Sequence, residues 1–170
     1  MSRLEKGEMQ TDQFIHLKML RAGETRIVHL TLLGLLPEGS TLALNLEIHT
    51  LSLLADGPQI IIEQRFSENE MRMIVPILDF YPHYCPYEVL LAYLSSRVVT
   101  QATIERCRQR LGEAQGRGTW QQELRPIRRA LSLLRIKLHA FNLEISNVRE
   151  RGCSLTSLAS SSFVEKRPYS

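Results

Sequence analysis

The alternation of apolar and polar residues predicts a run of short strands in the first part of the chain. Segments that are rich in β-branched residues, or that alternate with a period of two, are typical of half-buried strands. Four segments fit this description, at residues 25–33, 41–48, 51–54 and 59–64. Asp56, Gly57 and Pro58 supply a turn signal before the last of them. We therefore expect an antiparallel meander in this region.

Beyond residue 66 the apolar spacing changes to three and four, which predicts helices. Ser67 and Glu70 have the spacing of a capping box, in which each side chain satisfies a backbone amide at a helix start. Pro76 is expected to bend or limit the helix that follows. The other elements predicted here are a turn with aromatic anchors at residues 81–86 and helices at 87–94 and 103–115.

The strongest helical pattern covers residues 123–140. One side of this helix is an unbroken apolar stripe of Leu124, Ile127, Leu131, Leu134, Leu138 and Phe141. The opposite side carries Arg125, Arg128, Arg129, Ser132, Arg135 and His139. No acidic residue lies between Arg125 and His139. The pattern predicts a helix that buries one side and exposes a basic one, with Trp120 as an apolar anchor just before it.

A short hairpin is predicted after this helix. Asn142 is a favourable residue for ending a helix. Residues 143–148 have a strand-like composition, Arg149–Gly152 form a tight polar turn, and residues 153–155 return as the second strand. Two arginines, Arg149 and Arg151, therefore lie at the tip of the hairpin.

The length of 170 residues corresponds to about one domain, and a hydrophobic content of 44% is enough to build a core. We expect an N-terminal extension at 1–40, which has room for a strand, a main domain at 41–155 and a flexible tail at 156–170. No apolar run approaches the roughly 20 residues that span a bilayer, and the N-terminus lacks the pattern of a signal peptide. The three cysteines are widely spaced. These features indicate a cytoplasmic protein that does not enter a membrane.

The net charge of +3 is unevenly distributed along the chain. Residues 1–100 carry 8 basic and 12 acidic residues, whereas residues 101–152 carry 11 basic and 5 acidic residues. Arg outnumbers Lys by 17 to 4, and a guanidinium can bind two oxygens of a phosphate or a carboxylate at once. The basic segment favours an anionic partner. A GC-rich genome and an ordinary solvated surface are the simpler explanations of these features.

The sequence contains no recognisable catalytic or metal-binding pattern. The five histidines lie in unrelated segments, and no nucleophile elbow, phosphate-binding loop or dinucleotide motif is found. His83, Cys85 and Glu88 form one local cluster that resembles a nucleophile with a base. Packing within a turn is the simpler explanation of this cluster. We therefore predict a protein that is not an enzyme and needs no metal or cofactor, with a small enzyme at this cluster as a remote alternative.

The basic helix and the hairpin resemble the OmpR/PhoB-type winged-helix domain, which is the C-terminal DNA-binding domain of many bacterial response regulators. The positions that match the family pattern are Leu134, Arg135, Lys137, Leu138, Ile145, Val148, Arg149, Gly152 and Leu155. The resemblance covers about residues 42–155 and is strongest over 125–155.

This resemblance implies an α+β fold, a winged helix-turn-helix with an N-terminal antiparallel β-sheet, three to four helices and a C-terminal β-hairpin wing. It places the helix at 123–140 in the major groove of double-stranded DNA and the wing at 145–155 on the backbone or minor groove. The positions carried over as DNA-binding are Arg125, Arg128, Arg129, Ser132, Leu133, Arg135, Lys137, Arg149 and Arg151. The implied role is bacterial transcription regulation, with RNA polymerase and a second copy of the chain as further candidate partners.

Several positions depart from the family pattern. Leu133 stands where a basic or polar residue is common, and Cys153 replaces the usual tyrosine of the wing. The segment at 95–120 is longer than the family loop that can contact RNA polymerase. Residues 1–40 are too short for a phosphoacceptor domain, so control by phosphorylation is not expected. The alternative function is a winged-helix module whose arginines bind an acidic protein.

Overall fold

The structure, a computed structural model, describes residues 27–32, 34–55 and 59–158. The predictions for residues 1–26, for the turn at 56–58 and for most of the tail lie outside these residues. The described strands are β1 (Ile27–Leu30), β2 (Ser40–Asn45), β3 (Thr50–Ala55), β4 (Gln59–Arg65), β5 (Cys85–Pro86), β6 (Leu143–Val148) and β7 (Gly152–Ser157). The described α-helices are α1 (Glu68–Phe80), α2 (Tyr87–Ser95), α3 (Gln101–Arg117) and α4 (Trp120–Leu138). The fold of this part of the chain is α+β with two antiparallel sheets.

The first sheet contains β1 to β4 in chain order, which confirms the predicted meander. One face of this sheet joins the core through four buried leucines, Leu42, Leu44, Leu51 and Leu53. β2 ends at Asn45, three residues before the predicted end of the strand. The Asn45 side chain accepts hydrogen bonds from the amides of Glu47 and Ile48, at 3.0 and 3.2 Å, and so starts a turn in place of further strand.

The capping box at the start of α1 is confirmed. The Glu70 amide donates to Ser67 Oγ at 3.2 Å, and the Ser67 amide donates to Glu70 Oε2 at 2.7 Å. Pro76 lies inside α1, which continues to Phe80, so of the two predicted effects, a bend or an end of the helix, the end at Pro76 is wrong. Pro76 and its neighbours are buried. We attribute the continuous helix to this packing, because its favourable free energy offsets the cost of the hydrogen bond that proline cannot make.

The second sheet has the strand order β5-β7-β6. β6 and β7 form the predicted hairpin, and β7 continues to Ser157, so the expected tail begins two residues too early. Cys85 and Pro86 were expected in a turn but form β5, opposite Cys153 and Gly152. This two-residue strand fixes the hairpin to the segment between α1 and α2.

The remaining helices follow the predictions closely. α2 and α3 end within two residues of their predicted limits. α4 begins earlier than predicted, at Trp120, and stops at Leu138, where a 3₁₀ turn (His139–Phe141) takes over. Asn142 ends this turn with a left-handed backbone (φ 59°), as expected from its type. The entire predicted apolar stripe of α4 is buried. No helix in the described ranges is long and apolar enough to cross a membrane.

Candidate nucleic-acid interface

The outer face of α4 presents a row of free guanidinium groups. Arg125, Arg128 and Arg129 are exposed, and their side chains form no hydrogen bond or ion pair with any described residue. The apolar stripe on the other side of α4 is fully buried in the core. The helix is therefore held by one side while the three arginines point away from the protein.

The arginines of α3 are in a different situation, because most of them have acidic partners. Arg108 pairs with Glu88 and Glu105, and Arg117 lies 3.6 Å from Glu113. Arg110 lies 2.7 Å from Glu123 of α4. Three of the four arginines of α3 therefore have an acidic partner. This last pair draws the acidic group of α4 toward α3. The unpaired positive charge is thus concentrated on α4.

The turn between β6 and β7 adds two further arginines to the same region. The Arg151 amide donates to the carbonyl of Val148 at 3.0 Å, which closes a tight turn with Arg149 and Glu150 at its tip. Glu150 has a left-handed backbone (φ 58°), a conformation that costs free energy for any residue with a side chain. The side chains of Arg149 and Arg151 are exposed and have no ion-pair partner in the described part of the chain.

A notch of about 360 Å³ separates the start of α4 from this turn. Its lining comes from both elements and includes Trp120, Gln121, Arg128, Asn147, Arg149 and Glu150. Arg128 and Arg149 therefore share one concave surface, although 20 residues separate them in the sequence. The notch brings a helix arginine and a hairpin arginine to the same place.

Two aromatic residues support the start of α4 beside the notch. The rings of Tyr87 and Trp120 meet edge to face, with centroids 6.1 Å apart. Burial raises the pKa of the Tyr87 phenol above its ordinary value, so this group is neutral at physiological pH. Trp120 packs against the core, in keeping with the predicted anchor, but it is the first residue of α4 and does not precede it.

Arg135, predicted as a phosphate contact, has a further role in the structure. Its Nε donates to the carbonyl of Ile145 at 3.1 Å, and its Nη2 donates to Asn147 Oδ1 at 2.8 Å. Glu144 lies 3.9 Å away and completes the surroundings of the guanidinium. These bonds hold β6 against α4 and give Arg135 a structural role, and its predicted phosphate contact stays a prediction.

Lys137 is also used inside the protein. Its Nζ donates to Glu70 Oε2 at 2.7 Å and to the carbonyl of Arg65 at 2.9 Å. The ammonium group also lies 5.5 Å from the centre of the Phe66 ring. The Lys137 side chain therefore joins β4, α1 and α4, and its carried-over DNA contact stays a prediction.

The last predicted contacts, Ser132 and Leu133, lie on the outer face of α4. The Ser132 hydroxyl donates to the carbonyl of Arg128 at 2.8 Å but stays exposed. Leu133 is 58% exposed, and Ile136, one turn further along, is 69% exposed. Ile136 was missed by the sequence analysis, although its spacing of three from Leu133 already placed it on this face.

The cluster of His83, Cys85 and Glu88 does not form a common site. A cleft of about 760 Å³ is lined by His83 but by neither Cys85 nor Glu88. Cys85 is completely buried, and desolvation raises its pKa well above the ordinary value, which keeps the thiol protonated and unreactive. Glu88 is 3.3 Å from Arg108 and belongs to the α2–α3 contact. Among the described residues, no group of three His, Cys, Asp or Glu side chains could hold a metal ion.

Comparison with known proteins gives no independent indication of function. No protein-family model, no curated protein and no solved structure matches this chain.

Proposed function

We propose that this chain is a winged-helix protein that binds double-stranded DNA and regulates transcription, with α4 as the recognition helix and the β6–β7 hairpin as the wing. The observation that carries this proposal is the set of unpaired, exposed arginines on α4 and on the adjacent hairpin turn: Arg125, Arg128, Arg129, Arg149 and Arg151. The order of helices and hairpin also agrees with the family resemblance of residues 125–155.

The dimensions of α4 fit the major groove. Its 19 residues give a rod about 28 Å long, and an α-helix with its side chains is about 10–12 Å wide, comparable with the roughly 12 Å width of the major groove. The apolar stripe fixes the helix to the core, so the outer face can lie in the groove without loss of packing. The hairpin tip then faces the phosphate backbone beside the groove.

The proposed roles differ along this surface. Arg149 and Arg151 lie on a turn and are assigned to phosphate contacts, which supply affinity that does not depend on sequence. Arg125, Arg128 and Arg129 lie on the helix that would enter the groove, where a guanidinium binds guanine or phosphate oxygens. Ser132 and Leu133 complete the outer face.

The test is duplex binding measured by fluorescence anisotropy over a range of salt concentrations. We use a labelled 30-base-pair duplex of random sequence and compare the wild type with the Arg128→Ala/Arg129→Ala variant. Each lost phosphate contact lowers the log–log salt slope by about 0.9, so the variant is expected to lose nearly two units of slope.

The matched control is Arg97→Ala/Arg106→Ala, which removes the same charge from exposed positions outside α4 and the hairpin. This variant is expected to keep the wild-type slope. Equal loss in both variants would indicate a general charge effect, and no binding by the wild type would remove the proposal. Nuclease-resistant capture of an acidic protein, lost in Arg128→Ala/Arg129→Ala, would instead favour the protein-partner alternative.

A further inference from the structure

Two aliphatic side chains lie on the outer face of α4, beyond the three free arginines and toward the C-terminal end of the helix. Leu133 and Ile136 are 58% and 69% exposed, and no described residue covers them. They are three positions apart and therefore neighbours on the helix surface. Leu133 also lies four positions after Arg129, so the aliphatic pair continues the line of the guanidinium groups.

The combination of charge and apolar surface restricts the partner that fits this face. A single exposed leucine needs no explanation, but adjacent exposed aliphatic groups beside three unpaired arginines need a partner that offers negative charge and apolar contacts together. The major groove offers both, since phosphates line its edges and the C5-methyl groups of thymine project from its floor. The charge complementarity favours DNA over a second copy of this chain, which would bring the same arginines into contact.

We infer that Leu133 and Ile136 contact thymine methyl groups and so select A·T base pairs opposite the C-terminal third of α4. Three residues advance about 4.5 Å along a helix, and successive base pairs are about 3.4 Å apart. The two side chains therefore face neighbouring base-pair steps. This inference rests on the proposed function and adds to it a specificity that charge alone does not provide.

The experiment isolates the methyl group. The full chain first selects binding sequences from a library of random duplexes, and the selected pool is then amplified with either dTTP or dUTP. The two products differ only in the C5-methyl groups, because uracil pairs as thymine does. Burial of one methyl contributes roughly fourfold in affinity and burial of two about fifteenfold, so the wild type is expected to bind the uracil pool about four- to fifteenfold more weakly.

The variants assign this difference to the two side chains. Leu133→Ala/Ile136→Ala leaves the arginines in place and is expected to bind both pools equally. Ile60→Ala/Ile61→Ala, which shortens two exposed aliphatic side chains of β4, is the matched control and should keep the preference for the thymine pool. Retention of that preference by Leu133→Ala/Ile136→Ala would overturn the inference.

The other outcomes separate the inference from the proposed function. If the wild type selects sequences but binds both pools equally, thymine recognition is wrong and DNA binding stands. If the wild type retains duplexes without selecting any sequence, thymine recognition is wrong and DNA binding stands; if it retains no duplex, both fail. If Leu133→Ala/Ile136→Ala converts a dimer to a monomer in sedimentation and the pools bind equally, the aliphatic pair is a contact between copies of the chain.

Discussion

Lys137 Nζ and Glu70 Oε2 lie 2.7 Å apart and join the last turn of α4 to the first turn of α1. The same carboxylate oxygen accepts a hydrogen bond from the Ser67 amide, so one atom takes part in both the helix cap and the ion pair. The Glu70 side chain is only 4% exposed. The ion pair therefore links α4 to α1 in addition to the buried apolar stripe that fixes α4 to the core.

Replacement of this lysine should lower stability more than the loss of a surface charge would. Lys137→Met leaves the buried carboxylate of Glu70 with one fewer partner, and we expect a loss of about 2–3 kcal/mol in the free energy of unfolding by urea. Glu70→Gln/Lys137→Met removes the charge as well and should recover part of the loss. If Lys137→Met has the stability of the wild type, the pair is not important for the fold.

Gly152 marks the closest approach between the hairpin and β5. A Cβ atom at this position would collide with the carbonyl oxygen of Cys85. Gly152→Ala should therefore separate β7 from β5 and destabilise the protein by about 1–3 kcal/mol in thermal or urea unfolding. Gly116→Ala in α3, where an added Cβ meets nothing within 4 Å, is the control and should be neutral or stabilising.

The pH dependence of stability should reveal the buried thiol of Cys153. Burial raises its pKa from 9.0 to about 11. The unfolded chain therefore loses this proton at lower pH than the folded protein does, and unfolding becomes easier as the pH rises from about 9 to 11. Two pKa units correspond to roughly 2–3 kcal/mol. Cys153→Ala should show a correspondingly flatter decline in the free energy of unfolding, and an identical decline would contradict the assignment.

Glu150 is an acidic residue between the two arginines of the hairpin tip, and it has a left-handed backbone. Glu150→Asn removes the charge and introduces a residue that tolerates this conformation. We expect tighter duplex binding at low salt, by about two- to fivefold, and an increase of about 0.5–1 kcal/mol in stability. Glu150→Gln should share the gain in affinity and lack the gain in stability, which separates the two effects.

The strands and helices were largely predictable because their periodicity is a local property of the sequence. The stripe of α4, the capping box at Ser67 and the β6–β7 hairpin follow from residues within a few positions of one another. The two residues of β5 carry no periodicity, and their strand character comes from β7, which lies far along the chain. Pro76 also shows where prediction from local sequence stops. Proline disfavours a helix interior, but packing against the rest of the fold outweighed this preference.

The candidate site was less predictable for a similar reason. The spacing correctly placed Arg125, Arg128 and Arg129 on an exposed face. It could not distinguish them from Arg135 and Lys137, whose partners are fixed only by the tertiary fold. Glu70 lies 67 residues before Lys137 in the sequence, and no local pattern reports such a pairing.

The Arg135 bridge has a geometrical consequence for whatever the protein binds. Its hydrogen bonds to Ile145 and Asn147 join the hairpin to α4, so helix and turn keep a set separation. The distance between the contact surfaces of α4 and of the hairpin turn is therefore fixed before any target binds. A target that engages both must already present its two contact points at that spacing, or must bend until it does.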